Sequence, residues 1–290
     1  MLKKFFIALL ASLFAFNTNA QDLKNKATNK ITSELNKSLT SGLANIFPTA
    51  EVSLSSGKTQ KVKGNILVVK PLSDMDDKEN TTFTQGSIYF SDDDTETLNL
   101  GFGQRKLLDN ENLILGANLF YDHELSSDHQ RASFGVEAIT SVGSLRANQY
   151  YGISGWRAVK GIQEKALDGH DIEVGMPLPY LPWTKAYYRT FEWEGASGSS
   201  DLQGDEVSLE ANLPFGLNLE VGKRSNDSTT EDREFVSLTW RCCYKSDQQT
   251  FGLSEKAFNL TSVADQRFQK VRRQNLIVKQ QELALTIIGF

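Results

Sequence analysis

Long apolar runs are scarce in this chain. One occurs, at residues 5–16 within MLKKFFIALLASLFAFNTNA, and nothing after Ala20 resembles a second. A helical membrane-spanning architecture is therefore excluded, because a bilayer demands roughly 20 consecutive apolar residues. An excess of basic charge is also missing. The 31 Lys and Arg are outnumbered by 36 Asp and Glu, which leaves no footprint for a nucleic-acid partner. Cysteine is nearly absent: Cys242 and Cys243 are neighbours, and adjacent side chains on a strand point to opposite faces. A disulfide between them would be strained, so they are read as bland residues rather than a redox or metal pair.

What is present begins with an export signal. Lys3 and Lys4 precede the apolar run, and a polar NTNA ends on small Ala20. That is the layout of a secretory signal peptide over residues 1–20, cleaved near Ala20. Residues 21–46 place Leu23, Ala27, Ile31, Leu35, Leu39 and Leu43 at four-residue steps. The stripe predicts an amphipathic helix, closed by Gly42 and Pro48 and too polar to span a bilayer, so it belongs in the periplasm.

From residue 47 to 244 the period changes to two. Leu98, Leu100 and Phe102 alternate with Asn99, Gly101, Gly103 and Arg105. Ile172, Val174 and Met176 alternate with Glu173 and Gly175; Val207, Leu209 and Ala211 alternate with Ser208 and Glu210. A soluble sandwich would alternate as well. The polar face, however, holds Arg105, Asp122, Glu137, Arg146, Glu173, Glu210, Glu220 and Arg241 in mid-strand. Such charges suit an ion-paired lumen, and the apolar face suits lipid. Connections alternate between short (SVG, PLPYLPW, LPFG) and long (HELSSDHQ, GWRAVKGIQEKALDG, SNDSTTED), the rhythm of periplasmic turns and outer loops. Aromatics near strand ends, among them Tyr89, Phe90, Phe120, Tyr121, Trp156, Tyr180, Trp183, Trp193, Trp240 and Tyr244, are expected to form interfacial girdles.

The expected fold is all-β: a transmembrane antiparallel barrel of about 12 strands, an even number as bacterial barrels require. Predicted strands lie near 50–57, 62–70, 81–90, 96–106, 112–122, 131–139, 145–154, 170–178, 184–193, 205–213, 216–224 and 233–243. Residues 245–290 then end in RRQNLIVKQQELALTIIGF. The alternation closing on Phe290 resembles a barrel's last strand, but one more strand would make the count odd. The stretch KSDQQTFGLSEKAFNLTSVADQ is also too long and polar for a tight turn.

These strands resemble the β-domain of the intimin/invasin inverse autotransporters. The resemblance rests on FTQ at Phe83–Gln85, on Asn99, Gly101, Gly103 and Arg105, and on Gly116, Asn118, Phe120 and Asp122. It continues through His129, Arg131, Gly135 and Glu137, then Asn148, Tyr150, Ser154, Gly155 and Trp156. In the tail Arg267, Val271, Arg273, Asn275, Ile277 and Val278 match, although Gln274 stands where the family has asparagine. The resemblance implies an outer-membrane translocator and anchor whose linker threads the pore to the cell surface. It also implies partners: outer-membrane lipids and lipopolysaccharide, periplasmic chaperones and the barrel assembly machinery. The residues after Tyr244 are too few for an immunoglobulin-like domain of about 100 residues. A barrel without a fused passenger is therefore expected, one that anchors a short surface peptide or cooperates with a separately encoded passenger; the alternative is a small or plugged pore.

No enzyme chemistry is assigned. His123, His129 and His170 fall in predicted outer loops, with Glu124 and Asp128 near two of them, in no ligand spacing. Ser154 in GISGW lacks the context of a nucleophile elbow, and no strand-borne histidine is expected to face it. Catalytic, metal and cofactor sites are all expected to be absent.

Overall fold

The computed structural model describes residues 49–57, 60–91, 95–227, 233–242, 252–282 and 287–288. The signal peptide, the 21–46 helix, Cys243, Tyr244 and the tip of the SDDDTE loop lie outside the described residues. The strands are β1 (Thr49–Gly57), β2 (Gln60–Pro71), β3 (Asn80–Ser91), β4 (Glu96–Leu108), β5 (Leu113–Glu124), β6 (His129–Thr140) and β7 (Ser144–Gly152). After a hairpin of β8 (Arg157–Val159) and β9 (Ile162–Ala166) come β10 (Gly169–Leu178), β11 (Leu181–Trp193), β12 (Leu202–Leu213), β13 (Leu217–Asn226) and β14 (Arg233–Cys242). Twelve of these close into one barrel in the order β1-β14-β13-β12-β11-β10-β7-β6-β5-β4-β3-β2. Closure is made by β1 against β14, with Val52 opposite Trp240. Every neighbour in the barrel is antiparallel, which leaves no open edge for a bilayer to penalise.

The alternation read from the sequence sorts cleanly into two faces. Leu100, Leu119, Leu145, Ile172 and Val207 are exposed on the outside, while Asn99, Asn118, Arg146, Asp171 and Ser208 are buried within. Short turns at 109–112, 141–143 and 214–216 share one end of the barrel; the long 153–168 and 194–201 connections share the other. By that asymmetry the first end faces the periplasm. Among the described residues no helix is long and apolar enough to cross a membrane.

Two expectations need correction. Phe120 and Trp193 are not in a lipid-facing girdle but are buried, because they sit on the inward parity of β5 and β11. The Tyr89 hydroxyl likewise points into the lumen, where Asn275 Nδ2 donates to it at 2.7 Å. The histidines are not in loops: His123 falls in β5, His129 opens β6 and His170 lies in β10. Beside its charges the lumen also holds an apolar nest of Leu67, Val69, Phe83 and Phe120.

The GWRAVKGIQEKALDG segment, expected as a plain loop, folds into the β8–β9 hairpin. β9 belongs to a second, four-stranded sheet of order β16-β15-β9-β8, with β15 (Lys279–Gln281) and β16 (Ile287–Ile288) supplied by the tail. The tail thus adds no strand to the barrel.

Candidate functional site: the lumen and the segment inside it

A belt of alternating charge lines the barrel. Along the register, Arg105 faces Gly116, Gly116 faces Glu137, Glu137 faces Arg146 and Arg146 faces Glu173. The row continues through Arg189, Glu206 and Arg224. Arg105 Nε reaches Glu137 Oε1 at 2.7 Å, and Arg146 Nη1 reaches Glu173 Oε1 at 3.1 Å. Gly116 makes the first of these possible: a Cβ there would lie 2.8 Å from Glu137 Cγ and 3.2 Å from Arg105 Cγ. Unpaired, such charges would be costly to bury; paired around a ring, they brace neighbouring strands. Arg189, Glu206 and Arg224 were not singled out from the sequence, although they share the inward parity of the residues that were.

The tail enters this ring from the periplasmic end. A 3₁₀ turn at Ala264–Phe268 leads into an extended run, and the barrel wall supplies the hydrogen bonds that an isolated strand lacks. Thr49 Oγ1 donates to the Phe268 carbonyl at 2.7 Å. Arg105 Nη1 donates to the carbonyls of Arg267 and Gln269, both at 2.7 Å. Gln85 Oε1 accepts the Val271 N–H at 2.8 Å, and Tyr150 Oη accepts the Gln274 N–H at 2.7 Å. Asn99 Nδ2 donates to the Asn275 carbonyl at 2.9 Å. Arg131 donates to the carbonyls of Gln274 (2.6 Å) and Leu276 (3.0 Å).

Two successive arginines fix the register. In extended chain they point to opposite walls. Arg272 meets Glu173 (2.9 Å), Glu210 (3.2 Å) and Glu220 (2.9 Å), and its guanidinium lies 3.8 Å above the Tyr187 ring. Arg273 forms a forked pair with Asp122 (2.9 and 2.7 Å) and stacks 4.4 Å over Phe120. Asp122 also receives Arg131 at 2.8 Å and Asn99 at 2.7 Å. Lys270 and Arg241 both reach Glu51, at 2.8 and 2.9 Å.

Of the eight inward charges predicted, Arg105, Asp122, Glu173, Glu210 and Glu220 thus touch the tail, while Glu137, Arg146 and Arg241 pair with wall residues. Among the motif residues, Gly101 and Gly103 leave room for the Phe120 and Phe83 rings, and Gly135 lies between Asn118 and Asn148. Trp156 is separate, exposed on the outer connection.

Apolar anchors recur along the tail: Val263 and Ala264 against Leu107, Ile114 and Ile139; Val271 against Phe83 and Phe120; Val278 against Tyr150 and Trp193. Ala264, Val271 and Val278 recur at seven-residue steps. That spacing was a legible cue that the sequence reading missed. Space remains beside the tail at the periplasmic end, in a cavity of about 660 Å³ whose lining includes Glu51, Lys185, Glu210 and Arg241.

Ser154 does face a strand-borne histidine, contrary to expectation. Ser154 Oγ lies 3.0 Å from His129 Nδ1 and accepts the Gln130 N–H at 3.1 Å. The serine is buried and tied to backbone, a position that joins the β7 exit to β6.

A closed twelve-strand barrel with a lipid-facing apolar exterior and a charged lumen defines an outer-membrane protein. A solved structure from work on the in-meso crystallization of membrane proteins has the same fold: TM-score 0.68 at 24% identity, covering 81% of this chain and 99% of that one. The pattern of the inverse autotransporter β-domain matches residues 7–275, and the chain belongs to that family. It is a translocator and anchor barrel of the outer membrane. It is 32% identical over 218 residues to a putative attaching and effacing protein homolog of Escherichia coli K12, covering 72% of each chain. It is 31% identical over 259 residues to intimin of Escherichia coli O127:H6, covering 83% of this chain and 26% of intimin.

Proposed function

We propose that residues 264–282 are the stalk of an exported polypeptide, held in the pore with its carboxyl-terminal side at the cell surface. The observation that supports this best is the division of labour among the lumen contacts. Arg105, Arg131, Asn99, Thr49 and Gln85 address the tail's backbone, a chemistry indifferent to sequence. Arg272 and Arg273 supply the side-chain pairs that stop the chain at one position. A lumen that accepts any backbone and parks one register suits passage followed by anchoring.

In this reading the chain is delivered after cleavage near Ala20, escorted by periplasmic chaperones and inserted by the barrel assembly machinery among phospholipid and lipopolysaccharide. The exported cargo is whatever is joined to the tail, fused or separately encoded. The role is mechanical rather than catalytic, and the Ser154–His129 contact is a brace. The test is protease treatment of intact cells bearing an epitope after Phe290. Cleavage on intact cells is expected. An epitope that is cut only from the periplasmic side would favour a plugged barrel without export.

A further inference from the structure

Outside the barrel the tail meets a site that barrel closure does not require. β9 takes β15 as an antiparallel neighbour, with Ala166 opposite Lys279, Lys165 opposite Gln280 and Glu164 opposite Gln281. The ladder is flanked by Leu167 N–H donating to the Val278 carbonyl at 3.0 Å and Glu282 N–H donating to the Gln163 carbonyl at 2.9 Å. Three successive side chains then enter three different environments. Val278 is fully buried in an apolar nest with Tyr150, Leu167, Phe191 and Trp193. Lys279 Nζ lies 2.5 Å from Glu124 and 3.0 Å from Glu164. Gln280 Oε1 accepts the Ala196 N–H at 2.7 Å, and its Nε2 donates to Ser199 Oγ at 2.7 Å.

The receiving hairpin is stiffened from below. Asp168 Oδ1 accepts the Gly152 N–H at 2.6 Å, and Gly152 backs onto the Ala166 carbonyl so closely that a Cβ would lie 2.4 Å from it. The captured strand in turn offers its free edge to β16, pairing Lys279 with Ile288 and Gln280 with Ile287.

We propose that the β9 edge, the Glu124–Glu164 carboxylates and the Ala196–Ser199 amide slot form a strand-docking site for an emerging extended segment of apolar–cation–amide sequence. The proposal rests on the reading of the tail as exported. A chain leaving the pore has bare N–H and C=O groups, and the β9 edge pairs them by strand addition. Register follows from the side chains. A slip of one residue would reverse every side chain, aim Lys279 at the apolar nest and deprive Glu124 and Glu164 of their shared cation. The dock therefore catches the chain in one position and makes its first strand the template for the next.

The test is hydrogen exchange on the full chain in lipid, with an epitope after Phe290 reporting surface arrival on cells. Gln280→Pro places a residue without an N–H in the middle of a sheet. It should raise exchange at residues 163–167 and 278–282 at least about tenfold, the equivalent of about 1.4 kcal/mol, while residues 271–276 stay protected. Lys279→Glu should do the same and Lys279→Arg should not. Unchanged exchange in both Gln280→Pro and Lys279→Glu, with the epitope still at the surface, overturns the docking site alone. An epitope that remains inside in the unaltered chain overturns the exported-tail reading, and the dock with it.

Discussion

Asp122 is the residue on which the lumen's electrostatics converge. It holds Arg131 and Arg273 at once and accepts from Asn99, with no exposure to solvent. Removing its charge strands two buried guanidiniums, and breaking a buried pair this way costs about 3–5 kcal/mol. Asp122→Asn should therefore lower the heat-modifiability midpoint of the folded barrel far more than neutralising exposed Glu194. Equal shifts would deny the cluster a structural role. Gly101 acts through shape instead. A Cβ there would sit 2.2 Å from the Phe120 ring, which itself lies under Arg273. Gly101→Val should displace that ring and destabilise the barrel by about 1–3 kcal/mol, read by the same gel shift. The sequence made Asp122 visible as a mid-strand charge. Arg273 was visible as a motif residue of the tail, but its pairing with Asp122, 151 residues away, exists only through the fold.

The strands themselves were legible, because a period of two is a local property and lipid on one side enforces it. Inward aromatics were misassigned by residue type: Phe120 shares the parity of inward Asp122 two residues on, and Trp193 that of Arg189, yet both were grouped with the girdle as aromatics near strand ends. The β8–β9 hairpin was hidden for a different reason. It is short and polar, and its β9 edge is covered by a segment more than a hundred residues later. A second element-scale device lies at the periplasmic mouth. Val263 N–H donates to the Glu111 carbonyl at 2.8 Å, and Ser262 Oγ donates to its carboxylate at 2.6 Å. The Ser262 hydroxyl, then Lys78, hold the Glu111 carboxyl below its ordinary value near 4.5. A carboxylate so depressed contributes above its ordinary value and loses that contribution as pH falls through the lowered one. Exchange protection at Val263 should thus be flat from roughly pH 8 to 5 and decline at more acid pH. A decline beginning near neutrality would assign the pinning to another group.

At the scale of the molecule the wall and the tail form one structure. The belt from Arg105 to Arg224 braces the strands, and the tail completes it by bringing Arg272 to Glu173, Glu210 and Glu220. Arg272→Ala leaves three carboxylates gathered without their shared cation and should loosen the tail, which would be read as flickering openings in a planar bilayer. That the tail is not a thirteenth barrel strand followed from counting strands; which wall residues hold it did not, since those contacts exist only after closure. The most direct test of the tail as a moored occupant of the pore is planar-bilayer conductance of the full chain beside a chain ending at Tyr244. The account predicts a larger, steadier conductance from the shortened barrel, at equal folding by gel shift. Identical conductance from the two folded proteins would contradict it.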